Sequence, residues 1–191
     1  MSHTKLGGVG IAMAATAALI FGITSIGLSA SAEPAQPIDV LQVLTTPVGI
    51  EDAVPAEIEL SALSESPINK ESVRFVGATD DASFWVAVND RDEVCFVSWL
   101  PAAEVAAAAC APASVVEQRG ILLGLAGDES RGDPSVVGVL LPDSVRPVGD
   151  EVWREVGENL IVADAADAED HRVTLDRDPG EQGGPVEIEQ P

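Results

Sequence analysis

Cys95 and Cys110 are the residues of this chain whose type and spacing most directly predict a covalent chemistry. They lie 15 positions apart and are the two cysteines of the sequence. A redox pair usually has the spacing C-x-x-C, which is absent, and a zinc site needs about four ligands, of which only His171 could join them. In an oxidising compartment, one structural disulfide is the better interpretation, and it would stabilise the fold by about 3 kcal/mol.

Groups for acid–base or nucleophilic catalysis are weakly indicated. After residue 32 there is one histidine, His171, and it ends the acidic run Asp167-Ala168-Glu169-Asp170. A hydrolase triad needs a base beside a nucleophile, and no G-x-S-x-G sequence is present. Carboxylates are so numerous that spacing marks out no pair for a glycosidase. The sequence therefore predicts no catalytic residue, and a secreted carboxylate-dependent hydrolase is kept as an alternative function.

Oxygen ligands for a divalent cation are better represented than catalytic groups. Asp90 and Asp92 share a predicted turn, and a second acidic cluster contains Asp164, Asp167, Glu169 and Asp170. Calcium prefers such ligands, but neither cluster has the Gly and closing Glu of a calcium loop. The sequence predicts no metal ligand at a named residue and no cofactor. A divalent-cation-binding envelope protein is the second alternative.

Two further patterns bear on binding. Arg131-Gly132-Asp133, the tripeptide of some integrin ligands, falls in the predicted loop Gly127–Pro134, but chance occurrence is the favoured explanation in a chain rich in these residues. The formal net charge is -22, with every acidic residue after position 32. Such a surface repels nucleic acid and anionic lipid, so nucleic-acid binding is excluded and cationic partners are favoured.

The N-terminus predicts export. After Lys5, the run Leu6–Leu28 carries no charge and is long enough to span a bilayer as a helix. Ala30-Ser31-Ala32 is a small-x-small site that permits cleavage after Ala32. Residues 1–32 are thus a signal peptide or an uncleaved anchor, with membrane contact only through residues 6–28 if uncleaved. Either interpretation places the rest of the chain outside the cytoplasm, secreted or anchored.

The elements that would position these residues are mainly strands. Ser83–Val88 and Val94–Trp99 flank the polar turn Asn89–Glu93 and predict a hairpin buried on both faces. Pro101–Ala109 favours a short helix, because Pro at a first helical position precedes alanines. Ser114–Glu117 matches a capping box and predicts another helical turn.

The second half of the chain predicts further strands. Ile121–Ala126 is an apolar run, and Val173–Leu175 is a possible last strand. Four runs between them are separated by turn residues and predict an antiparallel meander. These four are Ser135–Leu141, Ser144–Val148, Glu151–Val156 and Asn159–Ala163. The predicted fold is mainly β, an antiparallel sandwich or partly open barrel of about seven or eight short strands with one or two short helices.

The strand-embedded cysteine and several short segments resemble a group of exported proteins from high-GC Gram-positive bacteria that has no assigned activity. The matching segments are Glu93-Val94-Cys95-Phe96-Val97, Cys110-Ala111-Pro112, Arg119-Gly120-Ile121, Val137–Asp143 and Glu158–Val162. The resemblance covers roughly residues 70–163, and the alanine-rich stretch before Cys110 departs from it. It implies a β-rich disulfide domain and no particular chemistry.

We therefore expect a non-enzymatic interaction domain whose partner is an extracytoplasmic protein or envelope component. Trp85 and Trp99 are the aromatic residues to inspect for an exposed partner patch, although ordinary core packing is the favoured interpretation. The expected organisation is a leader at 1–32, a linker with an unassigned segment at 33–66, a β-rich domain at 67–176 and a disordered acidic tail at 177–191.

Overall fold

The strands form two four-stranded antiparallel sheets and one three-stranded sheet. The computed structural model describes residues 34–147, 152–168, 173–177 and 186–188. The strands are β1 Arg74–Ala78, β2 Ser83–Val88, β3 Glu93–Leu100, β4 Val105–Pro112, β5 Ile121–Ala126, β6 Ser135–Leu140, β7 Val145–Pro147, β8 Arg154–Gly157, β9 Leu160–Asp164, β10 Val173–Arg177 and β11 Val186–Ile188. The α-helices are α1 Pro37–Val40, α2 Ala113–Arg119 and α3 Ala165–Ala168, and short 3-10 helices span Gln42–Thr45, Leu60–Ala62, Lys70–Ser72 and Glu129–Arg131.

The first sheet has the order β1-β2-β3-β4 and contains the predicted hairpin as β2 and β3. Successive side chains of β2 and β3 point to opposite faces of the sheet, and both faces are buried, as the sequence predicts for this hairpin. Phe84 and Phe96 point towards the second sheet, and Trp85 and Trp99 point to the opposite face. The mainly β sandwich predicted from the sequence is confirmed, because the inner faces of both four-stranded sheets supply one central core.

The second sheet has the order β5-β6-β9-β8, so the predicted meander is wrong. β7 leaves this sheet and pairs with β10, while β6 pairs directly with β9. β6 and β9 are apolar on both faces and therefore take the central positions, which are covered on both sides. Val145 of β7 and Trp153 help to cover their outer face.

The outer face of the first sheet is covered by the segment before β1. Ile58, Leu60 and Ile68 pack there with Trp85 and Trp99. The same segment begins with α1 and the 3-10 helix at Gln42–Thr45, whose Val40, Leu41 and Leu44 belong to the central core. Residues that the sequence left unassigned thus supply a third layer and part of the central core.

The sequence favours a helix over Pro101–Ala109, and this prediction is wrong. Residues 101–104 form a turn, and β4 then pairs along its whole length with β3, from Val105 opposite Leu100 to Pro112 opposite Glu93. Tertiary pairing overrides the helix propensity of alanine, since each small side chain still covers one face of the sheet.

The predicted helix after Cys110 is present as α2, but its capping box is not. Pro112 is the N-cap residue, so Ser114 already lies inside the helix. The helix ends at Gly120, which has φ +67°, and a Cβ atom there would collide with the Leu140 carbonyl oxygen. Glycine is therefore required where the chain turns from α2 into β5.

The chain ends differ from the sequence prediction where they are described. Val186–Ile188 pairs with β10 as a strand within the segment 177–191 that composition predicts to be disordered. β4 and β11 are strands of the described residues that the sequence did not predict. None of the helices in the described ranges combines the length and the hydropathy of a membrane-spanning segment. Residues 6–28, Ala30 and Ala32 lie outside those ranges.

Candidate functional site

The predicted disulfide between Cys95 and Cys110 is present. The two residues are direct cross-strand partners, with Cα atoms 4.0 Å apart, so the bond joins β3 to the edge strand β4. Cys95 is completely buried, whereas Cys110 is partly exposed. A disulfide is typical of proteins in an oxidising, extracytoplasmic setting.

The backbone of β4 carries hydrogen-bonding groups that point away from β3. Directly opposed residues alternate between hydrogen-bonded pairs and closer pairs without hydrogen bonds, and the 4.0 Å separation assigns Cys110 to the closer kind. Pro112, two residues on, has no N–H and fits the same assignment. The N–H and C=O groups of Ala106, Ala108 and Cys110 therefore point outward from the sheet edge.

This edge lacks three of the devices by which natural sheets protect an edge strand, although Pro112 at its end supplies a fourth. Charged side chains, bulges and short length usually keep an edge strand from pairing with another chain. β4 has eight residues, and none from Val105 to Pro112 is charged. By contrast, the opposite edge strand β1 has a bulge between Phe75 and Gly77. β5 lies beside β4, but within the described residues no backbone hydrogen bond joins these two strands.

A groove of 380 Å³ continues from this edge along the outer face of the first sheet. It shares Ala108 and Cys110 with β4, and two glutamates and one arginine supply its charges. Arg91 lies 3.7 Å from Glu65, and both side chains are largely exposed. Its lining residues are Leu63, Ser64, Glu65, Ser66, Arg91, Glu93, Ala108 and Cys110. We call the outward backbone groups of β4 together with this groove the β4 edge site.

A second hollow, of 480 Å³, lies within the segment before β1. Its walls are mainly aliphatic, and Lys70 supplies its positive charge. The buried Asp52 carboxylate on its wall accepts hydrogen bonds from the Gly49 N–H at 2.6 Å and the Phe75 N–H at 2.7 Å. Asp52 therefore fixes the chain that forms the hollow.

The acidic residues considered as oxygen ligands for a cation are exposed or make local hydrogen bonds. Asp90 and Asp92 are exposed at the hairpin tip, and Asp92 has φ +58°. Asp164 accepts a hydrogen bond from the Ala166 N–H at the start of α3. Among the described residues, no three His, Cys, Asp or Glu side chains group together as they would around a metal ion. Glu169, Asp170 and His171 lie outside the described residues.

The charged ends of the Arg131-Gly132-Asp133 tripeptide bind each other. Arg131 Nη2 lies 2.9 Å from Asp133 Oδ2, and the Asp133 side chain is only 13% exposed. The tripeptide begins at the last residue of the 3-10 helix Glu129–Arg131 and lies before β6, within the segment that the sequence predicts as a loop. The internal ion pair, however, occupies the two groups that an external receptor would need to contact.

The exposed tryptophan patch is not present, and core packing of Trp85 and Trp99, the interpretation that the sequence favoured, is confirmed. Trp85 and Trp99 are buried in the cluster beneath the segment before β1. The β4 edge site was missed instead, because the alanines of β4 favour a helix when read alone. The signal available was the long uncharged stretch ending at Cys110-Ala111-Pro112, directly after a strand that contains the other cysteine.

Comparison with known proteins gives no relative from which a function could be transferred. No protein-family model, curated protein or solved structure matches this chain. The resemblance seen in the sequence stays an expectation.

Proposed function

We propose that this chain is an exported, non-enzymatic interaction domain that binds an extended segment of an extracytoplasmic protein or envelope component at the β4 edge site. The observation that carries the proposal is the backbone of β4: eight uncharged residues, in which Ala106, Ala108 and Cys110 direct their hydrogen-bonding groups outward.

Strand addition uses these groups directly. A partner strand gains affinity from main-chain hydrogen bonds, and side-chain pockets beside the edge give specificity. Each net hydrogen bond contributes about 1 kcal/mol, so three outward residues support binding of modest affinity. The groove beside Ala108 and Cys110 would receive alternate side chains of the added strand.

The rigid attachment of β4 suits this role. The disulfide fixes the edge strand to β3, and Cys95, Phe96 and Val97 of β3 are completely buried. An edge that is held in its bound conformation loses little conformational entropy when a partner adds to it.

The cellular setting supports an extracytoplasmic partner. The disulfide, the uncharged run at residues 6–28 and the small residues Ala30 and Ala32 agree with export. We propose that the domain is either released after Ala32 or held at the membrane by residues 6–28. The net charge of -22 favours partners that carry positive charge over nucleic acid or anionic lipid.

The test is selection of peptides from a random display library on the full-length protein and its variants. We expect the native protein to enrich extended peptides and Ala108→Pro to lose them, since proline removes an outward N–H without removing a hydrogen bond to β3. Ala106→Lys provides a second edge variant that keeps every backbone donor and adds a charge to the edge.

The matched control is Val48→Ser, which changes an exposed residue at the second hollow and should retain all selected peptides. Thermal unfolding of each variant shows whether the fold is intact. Ala107→Pro should unfold much more readily, because Ala107 directs its N–H towards β3. A library that enriches no peptide, or peptides that bind folded edge variants as well as the native protein, would overturn the proposed function.

A further inference from the structure

We propose that Cys110 is a thiol-accessible modification site, at which a small cationic monothiol enters the groove, opens the Cys95–Cys110 bond and remains attached to Cys110. The thiol step stands by itself. Its consequence for partner binding rests on the proposed function of the β4 edge site.

The two cysteines of the disulfide differ in exposure. Cys95 has an exposure of 0% and packs within the cluster that contains Trp85 and Trp99. Cys110 is partly exposed and lines the 380 Å³ groove. Because exchange requires a thiolate to reach the sulfur that it attacks, the groove directs attack to Cys110.

The exchange balances without an external oxidant. A thiolate attacks Cys110 Sγ and forms a new S–S bond, while the Cys95–Cys110 bond breaks and its electron pair leaves with Cys95. Cys95 then takes a proton from solvent and becomes a thiol. Attack of a second thiolate on the mixed disulfide would release Cys110 as a thiol and the two reagents as their own disulfide.

The charges around the groove select the reagent. Glu65 and Glu93 line it, against the single guanidinium of Arg91, and the whole chain carries a net charge of -22. The field therefore attracts a cation and repels an anion, and such steering changes association rates by about tenfold or more at low ionic strength. A cationic aminothiol should react faster than an anionic mercaptocarboxylate.

The attached group would also regulate the edge. It would lie in the groove beside Ala108, where the side chains of an added strand are proposed to bind. A bound peptide and a thiol at Cys110 should therefore exclude each other. Loss of the cross-strand bond would in addition release β4 from its covalent link to β3.

The experiment treats the full-length protein with cysteamine or 3-mercaptopropionate at equal thiolate concentrations and low salt. The reaction is stopped with acid, free thiols are alkylated after the protein has been unfolded, and peptide mass spectrometry locates the adduct. We expect the adduct on Cys110 and the alkyl group on Cys95, with cysteamine faster by about tenfold and this ratio falling as salt is added.

Glu65→Gln with Glu93→Gln should reduce the ratio between the two reagents, whereas the matched control Glu57→Gln, at an exposed residue outside the groove, should leave it unchanged. Adducts mainly on Cys95, no adduct on the folded protein, or equal rates for both reagents would overturn the proposal.

Competition is measured separately, by adding a peptide selected on the β4 edge site. We expect the peptide to slow adduct formation on Cys110. If the library yields no peptide while Cys110 is still the modified residue, the interaction function fails and the modification site stands. If peptides bind and Cys95 is modified instead, the modification site fails alone.

Discussion

Gly138 of β6 faces the ring of Phe96 of β3 across the central core, and a Cβ atom on Gly138 would lie 3.0 Å from Cζ of Phe96. The same atom would lie 3.2 Å from Cε1 of Phe84, whose ring stacks on that of Phe96 at a centroid distance of 5.8 Å. The missing side chain on one sheet thus makes room for two large rings on the other. In a chain with only four phenylalanines, this contact sets how closely the two sheets approach.

We expect Gly138→Ala to lower the free energy of unfolding by about 1–3 kcal/mol, because the added methyl group displaces packed rings. Urea denaturation monitored by tryptophan fluorescence measures this. The control is Gly124→Ala on β5, where the nearest atom to a new Cβ is the Val136 carbonyl oxygen at 4.0 Å. Equal stability of the two variants would contradict the proposed packing.

Asp143 connects the N-terminal segment to the second sheet. Its two carboxylate oxygens accept hydrogen bonds from the Gln42 N–H at 2.7 Å and from Asn159 Nδ2 at 2.8 Å. Asp143→Ala should lower the free energy of unfolding by about 2 kcal/mol, because it removes an acceptor from the partly buried side-chain amide of Asn159. Hydrogen exchange should show faster exchange at Gln42. Asp39→Ala, which removes only a local bond to the exposed Gln36 N–H, should leave Gln42 protected.

Arg74 is buried and binds three carbonyl groups. Nε donates to Thr46 O at 2.8 Å, and Nη1 donates to Glu71 O at 2.9 Å and Val73 O at 2.8 Å. Arg74→Met should lower stability by about 3 kcal/mol, since these acceptors lose their donors in a partly buried place.

The comparison for Arg74 is Arg91→Met. The Arg91 side chain is 56% exposed, and its only described ion pair is 3.7 Å long. Exposed ion pairs contribute about 1 kcal/mol or less, so this variant should unfold close to the native midpoint in urea. A loss of stability at Arg74 no greater than that at Arg91 would show that the carbonyl contacts carry little energy.

The sequence was most informative where local pattern and tertiary packing agree. β-Branched and aromatic residues on either side of a polar turn predict the strands Ser83–Val88 and Glu93–Leu100. The disulfide that joins Cys95 of the second strand to Cys110 could also be predicted. β4 could not, because alanine favours a helix locally while its role depends on pairing with β3. The site built on β4 was missed for the same reason.

Two other features depend on long-range contacts that no local pattern encodes. Val40, Leu41 and Leu44 lie in a proline-interrupted segment, yet they are buried against strands far along the chain. Val145 begins β7, which pairs with β10 and not with the strands next to it in the sequence. In both cases burial of apolar surface on an available face decides the arrangement, and that face exists only in the folded protein.

The cross-strand disulfide should contribute a large share of the stability. Its loop of 15 residues predicts a loss of about 3 kcal/mol in the double variant Cys95→Ala/Cys110→Ala. Guanidinium unfolding of this variant and of the reduced native protein should give similar midpoints. Hydrogen exchange adds a spatial test, because the amides of β4 that bond to β3 should lose more protection than the amides of β6, which has an intact strand on both sides. Uniform loss of protection over both sheets would mean that the bond stabilises the whole domain and gives no particular support to the β4 edge.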